Sequence, residues 1–67
     1  MSSEDMVIEK LYEQRDLNLS MLKNLDFELI MDPTEKEIEK IKEMQKNTIE
    51  ELKKIEQEIA FLTAKKS

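Results

Sequence analysis

Residues 22–41 read LKNLDFELIMDPTEKEIEKI, and this stretch decides the fold. Leucines recur in steps of three and four before the proline, and isoleucines resume the same step after it. This is the spacing of an apolar stripe on a helix. The residue before a proline is pushed out of helical backbone angles, so Asp32-Pro33 predicts a break between two helices. The alternative is one long helix kinked at Pro33, because the chain contains no glycine to mark a turn.

Two apolar stripes mirror each other around this break. The first comprises Ile8, Leu11, Leu22, Leu25 and Leu29, and the second comprises Ile38, Ile41, Leu52, Ile55, Ile59 and Leu62. When the chain folds back at the proline, the numbers of facing residues add up to 66 or 67, as for Leu25 and Ile41. This pattern predicts an all-α fold, an antiparallel two-helix coiled-coil hairpin.

The hairpin is expected to form a single domain over residues 1–67. Helix 1 should run from about residue 3 to about residue 30, followed by a turn at residues 31–33 and by helix 2 from about residue 33 to about residue 64. Asp32 is expected to cap helix 2, with Pro33 at the first helical position and Glu35 at the third.

The predicted seam between the helices is not apolar throughout. Its middle holds a polar belt of Arg15, Asn18, Gln45 and Thr48. Buried polar groups reduce stability unless they are hydrogen-bonded, and their best-attested use in coiled coils is to fix register and oligomer number. The belt therefore indicates a register layer, and the functional alternative is a binding site for a polar ligand or a partner's side chain.

Helix 1 carries more apolar residues than one seam can use, and a helix that is apolar on two sides is normally covered on two sides. Leu17, Met21 and Met31 trace a second track along it. The alternative is that these are scattered surface residues without a partner. The predicted partner or oligomer interface comprises Tyr12, Leu17, Leu19, Met21, Phe27, Met31, Met44 and Ile49. We expect a homo-oligomer, assembled as a four-helix bundle, and a second protein as a further partner.

Charge and composition exclude several classes of function. The 67 residues have a net charge of −5, and all of this excess lies before Pro33. An acidic surface argues against nucleic acid and against anionic membrane surfaces as partners. The chain has no His, Cys or Gly, which removes the usual bases, nucleophiles, soft metal ligands and phosphate loops. We therefore expect no enzyme, no cofactor, no metal site and no small-molecule substrate.

The pattern favours a non-catalytic protein–protein interaction module that self-associates and then scaffolds or regulates a partner complex. The polar, acidic start is unlike a secretory signal, and no apolar run could span a membrane, so an intracellular protein of cytoplasm or nucleus is expected. The alternative is a small regulator that binds RNA or RNA polymerase. In outline, a hairpin with Asp32, Glu35 and Glu37 at its tip resembles the acidic-tipped coiled-coil finger of bacterial polymerase factors. Its length and topology also resemble a plasmid copy-control hairpin.

Overall fold

The computed structural model describes residues 3–66, which form two antiparallel helices. Helix α1 spans Ser3–Ile30 and helix α2 spans Glu35–Lys66, with no strand in the described part of the chain. The two helices pack side by side along their length, in a body of 48 × 17 × 14 Å. This confirms the all-α helical hairpin and excludes a single long helix kinked at Pro33.

The predicted apolar stripes form the seam between α1 and α2. The residues that are buried there are Ile8, Leu11, Leu25, Ile41, Ile55 and Ile59, and those that are half-buried are Leu22, Leu29, Ile38, Leu52 and Leu62. Leu11 packs with Ile55 and Ile59 in one cluster, and Leu62 covers that cluster from one side. Even Ile55, which is 3% exposed, is not completely enclosed, because each side chain of the seam has neighbours on one other helix only.

The turn between the helices depends on Asp32. The backbone N–H of Met31 donates to the carbonyl of Glu28 at 3.2 Å, which tightens the end of α1. Asp32 follows with φ of 55°, the left-handed region, where Asp and Asn are tolerated better than most residues. Asp32 is therefore the residue that reverses the chain direction, and its predicted role as the cap of helix 2 is wrong.

The cap of α2 is Thr34, two residues later than expected. The N–H of Glu37 donates to Thr34 Oγ1 at 3.2 Å, and Glu37 Oε1 accepts from the Thr34 N–H at 3.4 Å and from its hydroxyl at 3.0 Å. The Thr34 carbonyl accepts the first intrahelical bond, from the N–H of Ile38, at 2.9 Å. This is a capping box, in which a hydroxyl and a carboxylate satisfy each other's backbone amides. The helix consequently begins at Glu35, with Pro33 outside it, and Glu37 takes the third position that Glu35 was expected to hold.

We predict that Thr34→Ala lowers the free energy of unfolding by about 1 kcal/mol, because the orphan amides of the first turn lose their acceptor. For a domain of this size the melting temperature should fall by about 4–8 °C, measured by circular dichroism. Thr34→Ser keeps the hydroxyl and serves as the matched control, with a melting temperature close to that of the parent chain. Equal melting temperatures for the Ala and Ser variants would contradict the capping role.

Candidate interaction surface

The hairpin presents two long flanks, one on either side of the seam. One side of α1 presents the residues that directly follow Leu11, Asn18 and Leu25. The opposite side presents the residues that directly precede Ile8 and Leu22. The Tyr12 flank comprises Tyr12, Leu19 and Asp26 of the first half of the chain with Lys42, Ile49 and Glu56 of α2. The Met21 flank comprises Val7, Lys10, Gln14, Leu17, Met21, Asn24, Glu28 and Met31 of the first half with Glu37, Lys40, Met44, Asn47, Glu51, Lys54, Glu58 and Phe61 of α2.

Polar contacts tie the helices together on the Tyr12 flank. Arg15 Nη1 lies 3.7 Å from Glu56 Oε1, and its guanidinium carbon lies 4.8 Å from the centre of the Tyr12 ring. Further along, Gln45 Nε2 donates a hydrogen bond of 2.8 Å to Asp26 Oδ1. Exposed ion pairs such as Arg15–Glu56 contribute roughly 0–1 kcal/mol each, and a role of these contacts in fixing the register of α1 against α2 stays a prediction.

The Met21 flank carries shallow grooves instead. One groove lies beside the turn and is lined by Glu28, Met31, Asp32, Pro33, Glu37, Lys40, Ile41 and Met44. Two smaller ones lie toward the free ends of the helices, with Val7 and Met6 lining one and Phe61 and Leu62 lining the other. These grooves place exposed apolar side chains next to Lys and Glu.

All eight residues predicted for the interface are exposed, but they do not form one surface. Helix geometry places Leu17, Met21, Met31 and Met44 on the Met21 flank and Tyr12, Leu19 and Ile49 on the Tyr12 flank. Met31 and Met44 line the same groove beside the turn. Phe27, which is 64% exposed, lies on the back of α1, away from the seam. The assignment of these residues to an interface stays a prediction.

The predicted set missed Val7 and Phe61 on the Met21 flank. Both are large apolar side chains that stay exposed, at 49% and 68%. The signal for Val7 was present in the sequence, because the track through Leu17 and Met21 continues upstream in steps of four and three. Phe61 has no such signal, since it is isolated on a mostly charged face of α2.

The polar belt lies in the seam, with Thr48 buried at 6% exposure and Arg15, Asn18 and Gln45 half-buried. Its side chains bond to groups outside the belt. The Thr48 hydroxyl donates to the carbonyl of Met44 at 2.8 Å, and Asn18 Nδ2 donates to the carbonyl of Gln14 at 3.0 Å. Arg15 and Gln45 reach out to carboxylates on the Tyr12 flank, as described above. No buried side-chain N or O within residues 3–66 lacks a hydrogen-bond partner.

The acidic residues at the turn take part in its local structure. Among residues 3–66, no three carboxylates converge in a way that could hold a metal ion. Glu37 is engaged in the capping box of α2, and Asp32 forms the turn. In the same part of the chain, neither helix has both the length and the apolar character that crossing a bilayer requires.

Replacing Asn18 and Gln45 together by Leu should raise the melting temperature. Each Leu would add apolar contact to the seam, and together they should contribute about 1–2 kcal/mol, which corresponds to roughly 4–15 °C. The association state should become less uniform, because polar seam residues select one arrangement. A control is Ser20→Leu with Glu50→Leu, which adds two Leu at exposed positions opposite the seam and should leave the melting temperature nearly unchanged. A loss of stability in the seam variant alone would show instead that the fold depends on the bonds of the belt.

Comparison with known proteins does not assign this hairpin to a family. No protein-family profile matches the sequence, and no curated protein or solved structure shows significant similarity to it. Function is therefore inferred from the surface of the hairpin itself.

Proposed function

We propose that this chain is a non-catalytic protein–protein interaction module, a helical hairpin that self-associates and then scaffolds or regulates a partner complex. The observation that carries this proposal is the row of exposed apolar side chains on the Met21 flank. Leu17 and Met31 keep 63% and 69% of their surface in contact with solvent, and Met21 keeps 40%. Contiguous exposed apolar residues on a small protein are typical of an interaction site.

The thinness of the hairpin supports association. A chain of about 60 residues hides only about 60% of the surface that its unfolded form exposes, and a hairpin has one seam rather than an enclosed core. Full burial of a Leu or Met side chain stabilises by about 1.5–3 kcal/mol relative to leaving it exposed. Covering a few such side chains with a second layer of helices would therefore add as much stability as a small domain usually has in total.

A role beyond self-association follows from the second flank. If the Met21 flank is covered, Tyr12, Leu19 and Ile49 remain on the Tyr12 flank, where they are 37–47% exposed. Carboxylates of the first half of the chain flank Tyr12 and Leu19, and the chain as a whole has a net charge of −5. A partner protein with an apolar ridge and basic side chains would complement this surface.

We predict a dimer or larger assembly at micromolar concentration. Light scattering should give a mass of at least twice 8.0 kDa, because the exposed apolar row is covered on association. The melting temperature should rise with protein concentration, since only the assembled form gains from mass action.

A mass of 8.0 kDa together with a melting temperature that is independent of concentration would contradict self-association. RNA binding provides the discriminating control for the alternative function. A regulator that contacts phosphates would bind with a steep dependence on salt, whereas the acidic hairpin proposed here should show no such binding.

A further inference from the structure

The apolar row on the Met21 flank belongs to a longer stripe along α1. Steps of three and four connect Val7, Lys10, Gln14, Leu17, Met21, Asn24, Glu28 and Met31. The stripe covers about 36 Å at 1.5 Å per residue, nearly the whole length of α1. Its spacing is that of a coiled-coil seam, and all eight of its residues are exposed in the structure.

The stripe is complementary to itself when it is reversed. Residues whose numbers add up to 38 form matched pairs around a midpoint near residue 19. The pairs are Val7 with Met31, Lys10 with Glu28, Gln14 with Asn24, and Leu17 with Met21. Apolar groups meet apolar groups, amides meet amides, and Lys meets Glu.

From this pattern we infer that a second copy of this chain lies antiparallel on the stripe, with α1 against α1 and a two-fold axis near residue 19. The inference rests on the proposed self-association and specifies which surface performs it. A two-fold interface uses the same patch on both copies, so each matched pair occurs twice. Lys10 of each copy then faces Glu28 of the other, which complements charge at both ends of the apolar centre.

The Tyr12 flank is not complementary to itself when it is reversed. The corresponding stripe on that side of α1 carries four carboxylates, those of Asp5, Glu9, Asp16 and Asp26, against one basic residue, Lys23. Reversed pairing that brings Tyr12 onto Leu19 would set Asp5 against Asp26 and Asp16 close to its own copy. Like charges that face each other destabilise a helix pair, so this flank is disfavoured for self-pairing.

Helix α2 is placed at the outside of the dimer by the same symmetry. An axis near residue 19 of α1 would bring Glu37 of one α2 level with Glu58 of the other. It would also bring Lys40 close to Lys54. These like charges would disfavour contact between the two copies of α2, so the inferred contact is made by the α1 pair alone.

Two leucines on opposite flanks of α1 provide the test of the surface. Leu17→Lys places an ammonium group in the apolar centre of the dimer, twice by symmetry, and should weaken dimerisation on the order of a thousandfold in sedimentation equilibrium. Leu19→Lys is the matched control, the same change two residues away on the Tyr12 flank, and should change the dissociation constant by less than about threefold. Dissociation of the Leu19 variant with an intact Leu17 dimer would overturn the inference while leaving self-association in place.

Charge reversal tests the antiparallel pairing independently and does not disturb the apolar contacts. Lys10→Glu alone and Glu28→Lys alone should each weaken the dimer about tenfold, because each turns two attractive pairs into repulsive ones. The double variant restores the opposite charges and should return to within about threefold of the parent chain. Lys46→Glu on the exposed face of α2 makes the same change in net charge as Lys10→Glu and should have little effect.

The outcomes distinguish the proposed self-association from the inferred antiparallel pairing of α1. A parent chain that is monomeric throughout would contradict the proposed function itself. A dimeric parent chain whose double variant remains as weak as the single variants would overturn the antiparallel α1 pairing alone. Restored affinity in the double variant supports the pairing even if Leu17→Lys prevents folding.

Discussion

The structure depends on a single seam between two helices. Each core side chain of this hairpin packs against one neighbouring helix, and even Ile55 remains 3% exposed. A chain with no disulfide and no metal site in its described part has little else to hold it together. Local features therefore matter more than usual for the stability of the fold. Two of them are the Thr34 capping box at the start of α2 and the left-handed backbone of Asp32 in the turn.

The two flanks of the seam differ in the contacts that they make. The Tyr12 flank is bridged by polar contacts between the helices, Arg15 with Glu56 and Gln45 with Asp26. The Met21 flank is left open, and its exposed apolar side chains alternate with Lys and Glu. The contacts within one chain and the proposed association between chains thus involve different sides of the same helix, so we expect a change on one flank to alter one property without the other.

The seam could be predicted from the sequence because the spacing of apolar residues alone determines it. Two helices of the right period with a proline between them admit few other arrangements. The cap was assigned to Asp32 rather than Thr34 because two overlapping start signals lie in DPTEKE, and the choice depends on the backbone angle of Asp32. The partners of the belt residues could not be predicted, because long side chains such as those of Arg15 and Gln45 can leave the seam and reach carboxylates on a flank. The exposed apolar residues can be assigned to one flank or the other only once the position of the seam on each helix is observed.

The central claim, that two hairpins pair antiparallel through α1, is tested most directly by a distance between the two turns. The chain has no cysteine, so Lys36→Cys at an exposed site beside the turn can carry one spin label per copy. Antiparallel pairing about residue 19 puts the turns at opposite ends, and double electron–electron resonance should give a distance of about 35 Å from the helical rise. A distance below about 20 Å, or no dipolar coupling between copies at micromolar concentration, would contradict the account.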